Sequence, residues 1–211
     1  MERKKLLEDL LKKDYTLSSM ESLTGGLFAS TFTSIPGASK VFKGSAVTYT
    51  DEIKEKYGVR KSTIETQGAV SLACAKEMAL RSSSFFDTDV SVSFTGNAGP
   101  TESENKPVGL VFIAIRIQDI LYSYELHLEG TRDEIRRQCV DFAFKTIDSK
   151  INGATLLKEE NVEQNNPLAS DDEKASETSI NTTEINSENK EETTADHQKE
   201  DNSTEENNPN D

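Results

Sequence analysis

Across 211 residues the chain carries a formal charge of −14 and 34% hydrophobic side chains, but 17 acids against 4 bases fall between Lys158 and Asp211, while residues 1–157 are near neutral and hold every Phe and Tyr. The last stretch cannot bury enough apolar surface to offset the entropy of ordering it, which predicts one domain over residues 1–150 and a disordered acidic tail, rich in Asn, Glu, Ser and Thr, over 151–211. Composition argues against a membrane protein, with no apolar run near the ~20 residues of a span, against a secreted one, with charges directly after Met1, and against a nucleic-acid binder, with no basic footprint; a cytoplasmic protein is expected.

In chain order, residues 2–13 set Leu6, Leu7, Leu10 and Leu11 on one helical stripe, and Thr16 to Glu21 reads as a strand. Thr24-Gly25-Gly26 punctuates it before an apolar helix from Leu27 to Ile35, which Pro36-Gly37 ends. Gly44 to Thr50 reads as a second strand, with a short charged helix over residues 51–57 after it. Ser62-Thr-Ile-Glu65 has the form of a capping box, and Ser71 is placed to cap a longer helix running toward Arg81. Asp89 to Thr95 alternates Val90, Val92 and Phe94 with serines, as a strand does. Residues 96–106 form a long polar loop. Residues 108–117 and 120–128 read as a hairpin joined at Gln118-Asp119. Thr131-Arg-Asp-Glu134 is another capping box, opening a helix that carries Ile135, Val140, Phe142, Ala143 and Ile147. Strands flanked in sequence by helices predict an α/β fold with a mixed sheet covered on both faces.

Two turns stand out for function. Glu21-Ser22-Leu23-Thr24-Gly25-Gly26 lies between strand and helix, where glycines let backbone N–H groups approach a ligand and a helix start favours an anion such as phosphate; a tight turn with Ser22 and Thr24 as caps explains the same residues. Gly96-Asn97-Ala98-Gly99-Pro100 follows a strand ending in Thr95. Ligands of open α/β sheets sit beyond the carboxyl ends of strands, so Ser22 and Thr95 are candidates to face one site. Plain turn chemistry is the competing reading there.

Catalytic histidine is scarce, because His127 lies on an alternating strand and His197 in the expected tail. A hydroxyl activated by a lysine is the remaining nucleophile, since a desolvated lysine can supply a neutral amine as base. Lys54 and Lys106 are the candidate lysines, and Ser39, Tyr49 and Lys54 lie around the second strand. Ser103-Glu-Asn-Lys106 has the Ser-x-x-Lys spacing of penicillin-recognising enzymes, but that spacing needs a helix and this segment is a polar loop. Arg132, Arg136 and Arg137, near a helix start, are suited to a phosphate or carboxylate and equally to a solvated face. Cys74 and Cys139, the only cysteines, fit reduced buried thiols better than a disulfide or zinc site.

Together, Glu21-Ser-Leu-Thr-Gly-Gly26, Pro36-Gly-Ala-Ser39, Gly44-Ser-Ala-Val-Thr-Tyr49, Gly68-Ala-Val-Ser71, Ser93-Phe-Thr-Gly-Asn-Ala-Gly-Pro100, Lys106-Pro-Val-Gly109 and Arg132-Asp-Glu-Ile-Arg-Arg-Gln138 resemble the CinA C-terminal domain family, the nicotinamide mononucleotide deamidases. The resemblance runs to about Ile147. It implies a three-layer α/β/α sandwich that hydrolyses the carboxamide of nicotinamide mononucleotide to nicotinic acid mononucleotide and ammonia, with no metal and no cofactor. Carried over by motif, Ser39 takes the role of nucleophile, Lys54 of base and Tyr49 of proton carrier. Ser22 and Thr95 position the amide or its oxyanion, with Ser22 and Ser39 alternatives for the attacking group. Thr24, Gly25, Gly26, Gly96, Gly99, Lys106 and Arg132 are the implied substrate contacts. A homodimer is also implied. Leu23, Asn97, Asp51 and the glycine-poor loop between Pro100 and Lys106 depart from the pattern and bear on substrate preference. The alternative expectation is a catalytically silent nucleotide- or partner-binding module, with the tail as solubilising extension or partner segment.

Overall fold

The computed structural model describes residues 2–153 and the pair Val162–Glu163, all within one compact unit, Met1–Leu168. Helix α1 (Glu2–Lys12) precedes strand β1 (Leu17–Glu21), helix α2 (Leu27–Thr33), a 3-10 turn (Ala38–Lys40) and strand β2 (Phe42–Val47). Helices α3 (Asp51–Lys56), α4 (Lys61–Gln67) and α5 (Leu72–Phe86) follow, then strands β3 (Val90–Gly96), β4 (Leu110–Ile117) and β5 (Ile120–His127), helix α6 (Arg132–Ile151) and a two-residue strand β6 (Val162–Glu163).

The sheet runs β2-β1-β3-β4-β5-β6. β1 pairs in parallel with β2 and β3, and the remaining pairs are antiparallel. One face is covered by α1, α2 and α6, where Phe28, Phe32, Phe94 and Phe144 interleave with centroids 5.1–6.3 Å apart. α5 covers the other face through Ala75, Ala79 and Met78. This is a three-layer α/β/α sandwich with a mixed sheet.

Close packing on both faces explains why β3 is buried along most of its length despite its serines. Ser91 and Ser93 donate to the Ala79 and Ala75 carbonyls of α5 at 2.7 and 2.6 Å, so small hydroxyls permit a close helix approach and remain satisfied.

Several expectations need correction. Leu11 is 41% exposed, so the buried stripe of α1 is Leu6, Leu7 and Leu10. Ser62 caps nothing: α4 begins at Lys61, with Arg60 in the N-cap position and no side-chain cap. Ser71 and Thr131 do cap α5 and α6, the latter in a complete capping box with Glu134. The expected tail over 151–211 also starts too early, because Ile151 closes α6 and Val162–Glu163 pair with Tyr122 and Leu121 of β5. The rest of that segment lies outside the described residues.

A buried ion pair ties the α3–α4 connection to α5. Glu77 on α5 accepts the Arg60 N–H (2.8 Å), the Arg60 guanidinium (2.9 and 2.7 Å) and the Thr63 hydroxyl (2.6 Å). Burial raises its pKa, but the Arg60 and Thr63 hydrogen bonds outweigh burial and hold the carboxyl below its ordinary 4.5. A depressed folded value contributes stability above the unfolded pKa and loses it as pH falls through the folded one. Glu77→Gln is therefore expected to be less stable at pH 7 and to lose less stability than wild type on titration below about 4.5. Parallel pH profiles of melting temperature for the two proteins would contradict this assignment.

Candidate functional site

β2 lies on one side of β1 and β3 on the other, so the carboxyl ends of β1 and β3 flank a switch point of the kind that holds ligands in open α/β sheets. The two ends are tied together by the Ser22 N–H, which donates to the Phe94 carbonyl at 2.9 Å. A cavity of about 530 Å³ opens there, lined by Ser22 and Leu23, by Tyr49, Asp51 and Lys54, by Ala69 and Val70, by Thr95, Gly96, Asn97, Ala98, Gly99 and the 101–104 segment, and by Arg132. That volume suits a small-molecule ligand.

Lys54 is the chemical centre of this cavity. It sits on α3, whose start is capped by the Thr50 hydroxyl, and is only 2% exposed. Its Nζ lies 3.4 Å from the Tyr49 carbonyl and 3.6 Å from Asp51 Oδ1. The Cys74 thiol lies within reach of its charge; burial pushes that thiol up to about 12 and the lysine opposes the rise. Thr95 donates its hydroxyl to the Ala69 carbonyl at 2.6 Å, which orders the wall and leaves its oxygen lone pairs as acceptors. Arg132 spans the mouth, donating to the Gly99 carbonyl (2.8 Å) and to the Tyr49 hydroxyl (2.7 Å). Gly99, at φ 77, allows the approach of its own loop, since a Cβ there would stand 2.7 Å from Val108 Cγ1.

Ser22, Tyr49, Lys54, Thr95, Gly96, Gly99 and Arg132 are thus brought to one place; the other expected site residues are not. Ser39 sits exposed on the 3-10 turn before β2, at the opposite end of the sheet from Tyr49 and Lys54. The chain reaches the site along β1, returns through α2, and must traverse all of β2 to reach it again. Ser39 therefore cannot be the nucleophile for the Lys54 of its own chain.

Thr24, Gly25 and Gly26 lie behind the cavity wall. Gly26 N–H donates to Glu21 Oε2 at 3.0 Å and Gly25 N–H to the Ser22 carbonyl, so the turn and the start of α2 face a carboxylate of the chain itself and offer nothing to a phosphate. Arg136 braces the turn from α6, donating to the Leu23 and Thr24 carbonyls.

Lys106 turns away as well. Its Nζ donates to the Gln67 and Val70 carbonyls (2.9 and 2.6 Å) and pairs with Glu104 at 3.0 Å, while Glu104 accepts the Ala69 and Val70 N–H groups. The pair clips the 96–109 loop onto the start of α5, which also disposes of the Ser103–Lys106 dyad. Asn97 turns inward, its amide donating to the Lys106 carbonyl and accepting from Gly99 N–H. His127 is exposed on β5, 2.9 Å from Glu125. Among the described residues no group of three or more His, Cys, Asp or Glu side chains is set to hold a metal ion.

Reading by residue type missed Glu21, whose buried carboxylate builds the Ser22 turn. An acid at a strand end directly before a Gly-Gly helix start was the available signal. It also missed the apolar wall of Ala69 and Val70, which only the packing of α5 reveals.

A profile of the CinA C-terminal domain matches residues 2–151. The chain belongs to the CinA C-terminal domain family. Among its relatives, a CinA-like protein of Petrotoga mobilis is 46% identical over 144 residues, which is 67% of this chain and 36% of that protein. The Mycoplasma pneumoniae protein named MG115 homolog is 38% identical over 145 residues, covering 68% of this chain and 92% of its own length. The crystal structure of the competence/damage inducible protein CihA from Agrobacterium tumefaciens superposes with a TM-score of 0.65 at 32% identity, over 72% of this chain and 96% of that one. This chain spans only 36% of the length of several curated relatives, so what those longer proteins do is not thereby assigned to this CinA-family domain. No described helix is long and apolar enough to cross a membrane.

Proposed function

We propose that this CinA-family domain is a nicotinamide-nucleotide amidase, hydrolysing the carboxamide of nicotinamide mononucleotide to nicotinic acid mononucleotide and ammonia. The observation that carries the reading is the convergence of a buried amine, Lys54, with the Ser22 hydroxyl on one cavity at the strand switch point. Lys54, as the neutral amine, takes the Ser22 proton while Ser22 Oγ attacks the carboxamide carbon. The tetrahedral intermediate expels ammonia as Lys54 returns the proton to the leaving nitrogen. Water then attacks the ester, Lys54 accepting its proton and giving it back to Ser22 Oγ, which frees the carboxylate product. Arg132 at the mouth supplies positive charge for the nucleotide phosphate, and Tyr49, bonded to it, holds it across the opening.

Ammonia release from nicotinamide mononucleotide by the purified full chain tests the reading, with Ser22→Ala expected to reduce turnover by about a thousandfold at unchanged melting temperature. No release by the wild-type protein across the neutral pH range would overturn it. The Asp51–Lys54 ion pair favours a second reading, a module that holds the nucleotide without turning it over. Calorimetric binding without ammonia release would select that one.

A further inference from the structure

β2 is an edge strand whose outer side has no neighbouring strand among the described residues. Thr48 N–H donates inward to the Glu21 carbonyl, so by the alternation of a strand the backbone groups of Ser45 and Val47 point outward. Bare edges of this kind are templates for pairing. Apolar side chains line it on both faces: Val47 is 48% exposed on one side, and on the other Phe85, 63% exposed, packs on Tyr57 and on Phe86, whose ring rests against Gly44. Charge is divided along the edge. Lys40 and Lys43 are exposed at its amino end, Asp51 and Glu52 just beyond its carboxyl end.

We infer that a second copy of this chain pairs antiparallel along β2, and that each copy thereby lends its Ser39 to the other's site, an inference that rests on the amidase reading for its catalytic consequence. Only the antiparallel arrangement sets the Lys40/Lys43 end of one copy against the Asp51/Glu52 end of the other, and a two-fold axis does so twice with one self-complementary surface. With the axis at Ser45 or Ala46, residue pairs sum to 90 or 92 in number, which sets the partner's Lys40 beside Thr50 or Glu52. The partner's Ser39 then falls beside Asp51 or Ile53, next to Lys54 and on the open side of the cavity. The serine that lies at the wrong end of its own sheet is at the right end of the neighbour's.

Three measurements on the full chain test this. Sedimentation of wild type should show a dimer at micromolar concentration, and Lys40→Glu/Lys43→Glu, which sets like charges together, should shift it toward monomer. The double variant Ser39→Cys/Glu52→Cys should give a covalent dimer with a short bismaleimide. Within one chain those positions are separated by the length of β2, roughly 20 Å, and Cys74 and Cys139 are fully buried.

Ser39→Ala and Lys54→Ala should each be inactive alone, and after subunit exchange an equal mixture should recover about a quarter of wild-type turnover, because half the dimers then carry one intact site of two. A monomeric wild type, absence of the cross-link, or full activity in Ser39→Ala would overturn the inference. A cross-linked dimer with no ammonia release by any form would instead retain the pairing and discard the amidase. Ammonia release by a monomer would do the reverse.

Discussion

Lys54→Met is expected to lose about three orders of magnitude in ammonia release while folding as well as the wild type or better. The methionine keeps most of the volume of a side chain that is 2% exposed and removes only its amine. The amine's neighbours, the Tyr49 carbonyl and the Asp51 carboxylate, are respectively backbone and half-exposed, so neither is left stranded in an apolar core. Lys54→Arg separates the possible roles. A guanidinium keeps the positive charge but cannot act as a neutral base. If the lysine takes protons from Ser22, the arginine variant is as inactive as the methionine one. If it serves only to hold a negative ligand group, arginine preserves nucleotide binding and a good part of the function. Turnover in Lys54→Arg within tenfold of wild type would remove Lys54 from the role of base.

The fold was legible wherever a single local rule decided the outcome, as with the alternation of Val90, Val92 and Phe94 or the Thr131–Glu134 box. It failed where a local signal was real but outcompeted. Ser62-Thr-Ile-Glu65 has capping-box chemistry, yet the chain enters the helix before it, because Arg60 is fixed by its bonds to Glu77, a contact across 17 positions. Residue type brought Lys54 and Lys106 forward equally. Spacing does not say where a flexible four-carbon stem points, and only tertiary contacts separate the buried amine of Lys54 from the carbonyl-clasping amine of Lys106. The place of Ser39 was within reach of simple counting: a strand, a helix and a parallel strand return the chain to the end from which it started, so a residue just before β2 lies opposite one just after β1. A motif comparison treats such residues as neighbours because it carries no direction.

Glu21→Ala is expected to be the most destabilising single change near the site, by about 3–5 kcal/mol. Every residue of β1 is buried, and Glu21 is fully so. Its carboxylate accepts the N–H groups of Gly26, Phe28 and Ala29 at 3.0, 3.1 and 2.9 Å, and the Ser19 and Ser45 hydroxyls at 3.3 and 3.4 Å. Those N–H groups are the unpaired donors that open α2, where a negative charge is favoured by the helix dipole. Alanine strands three donors in a closed interior, and a water molecule would have to replace five contacts at once. Glu21→Gln keeps the shape but turns an amide NH₂ toward at least one N–H donor, so it should lose about 2 kcal/mol.

For a folded unit of this size those losses correspond to melting temperatures lower by about 10 °C and 5 °C. Activity should fall with them in an informative way. Gly26, at φ 90, and Glu21 together fix the turn that carries Ser22, so the glutamine variant, assayed well below its melting temperature, should show reduced kcat with little change in KM. A melting temperature within a degree or two of wild type for Glu21→Ala would mean that the start of α2 finds its partners elsewhere. The carboxylate would then no longer account for how the Ser22 turn is built.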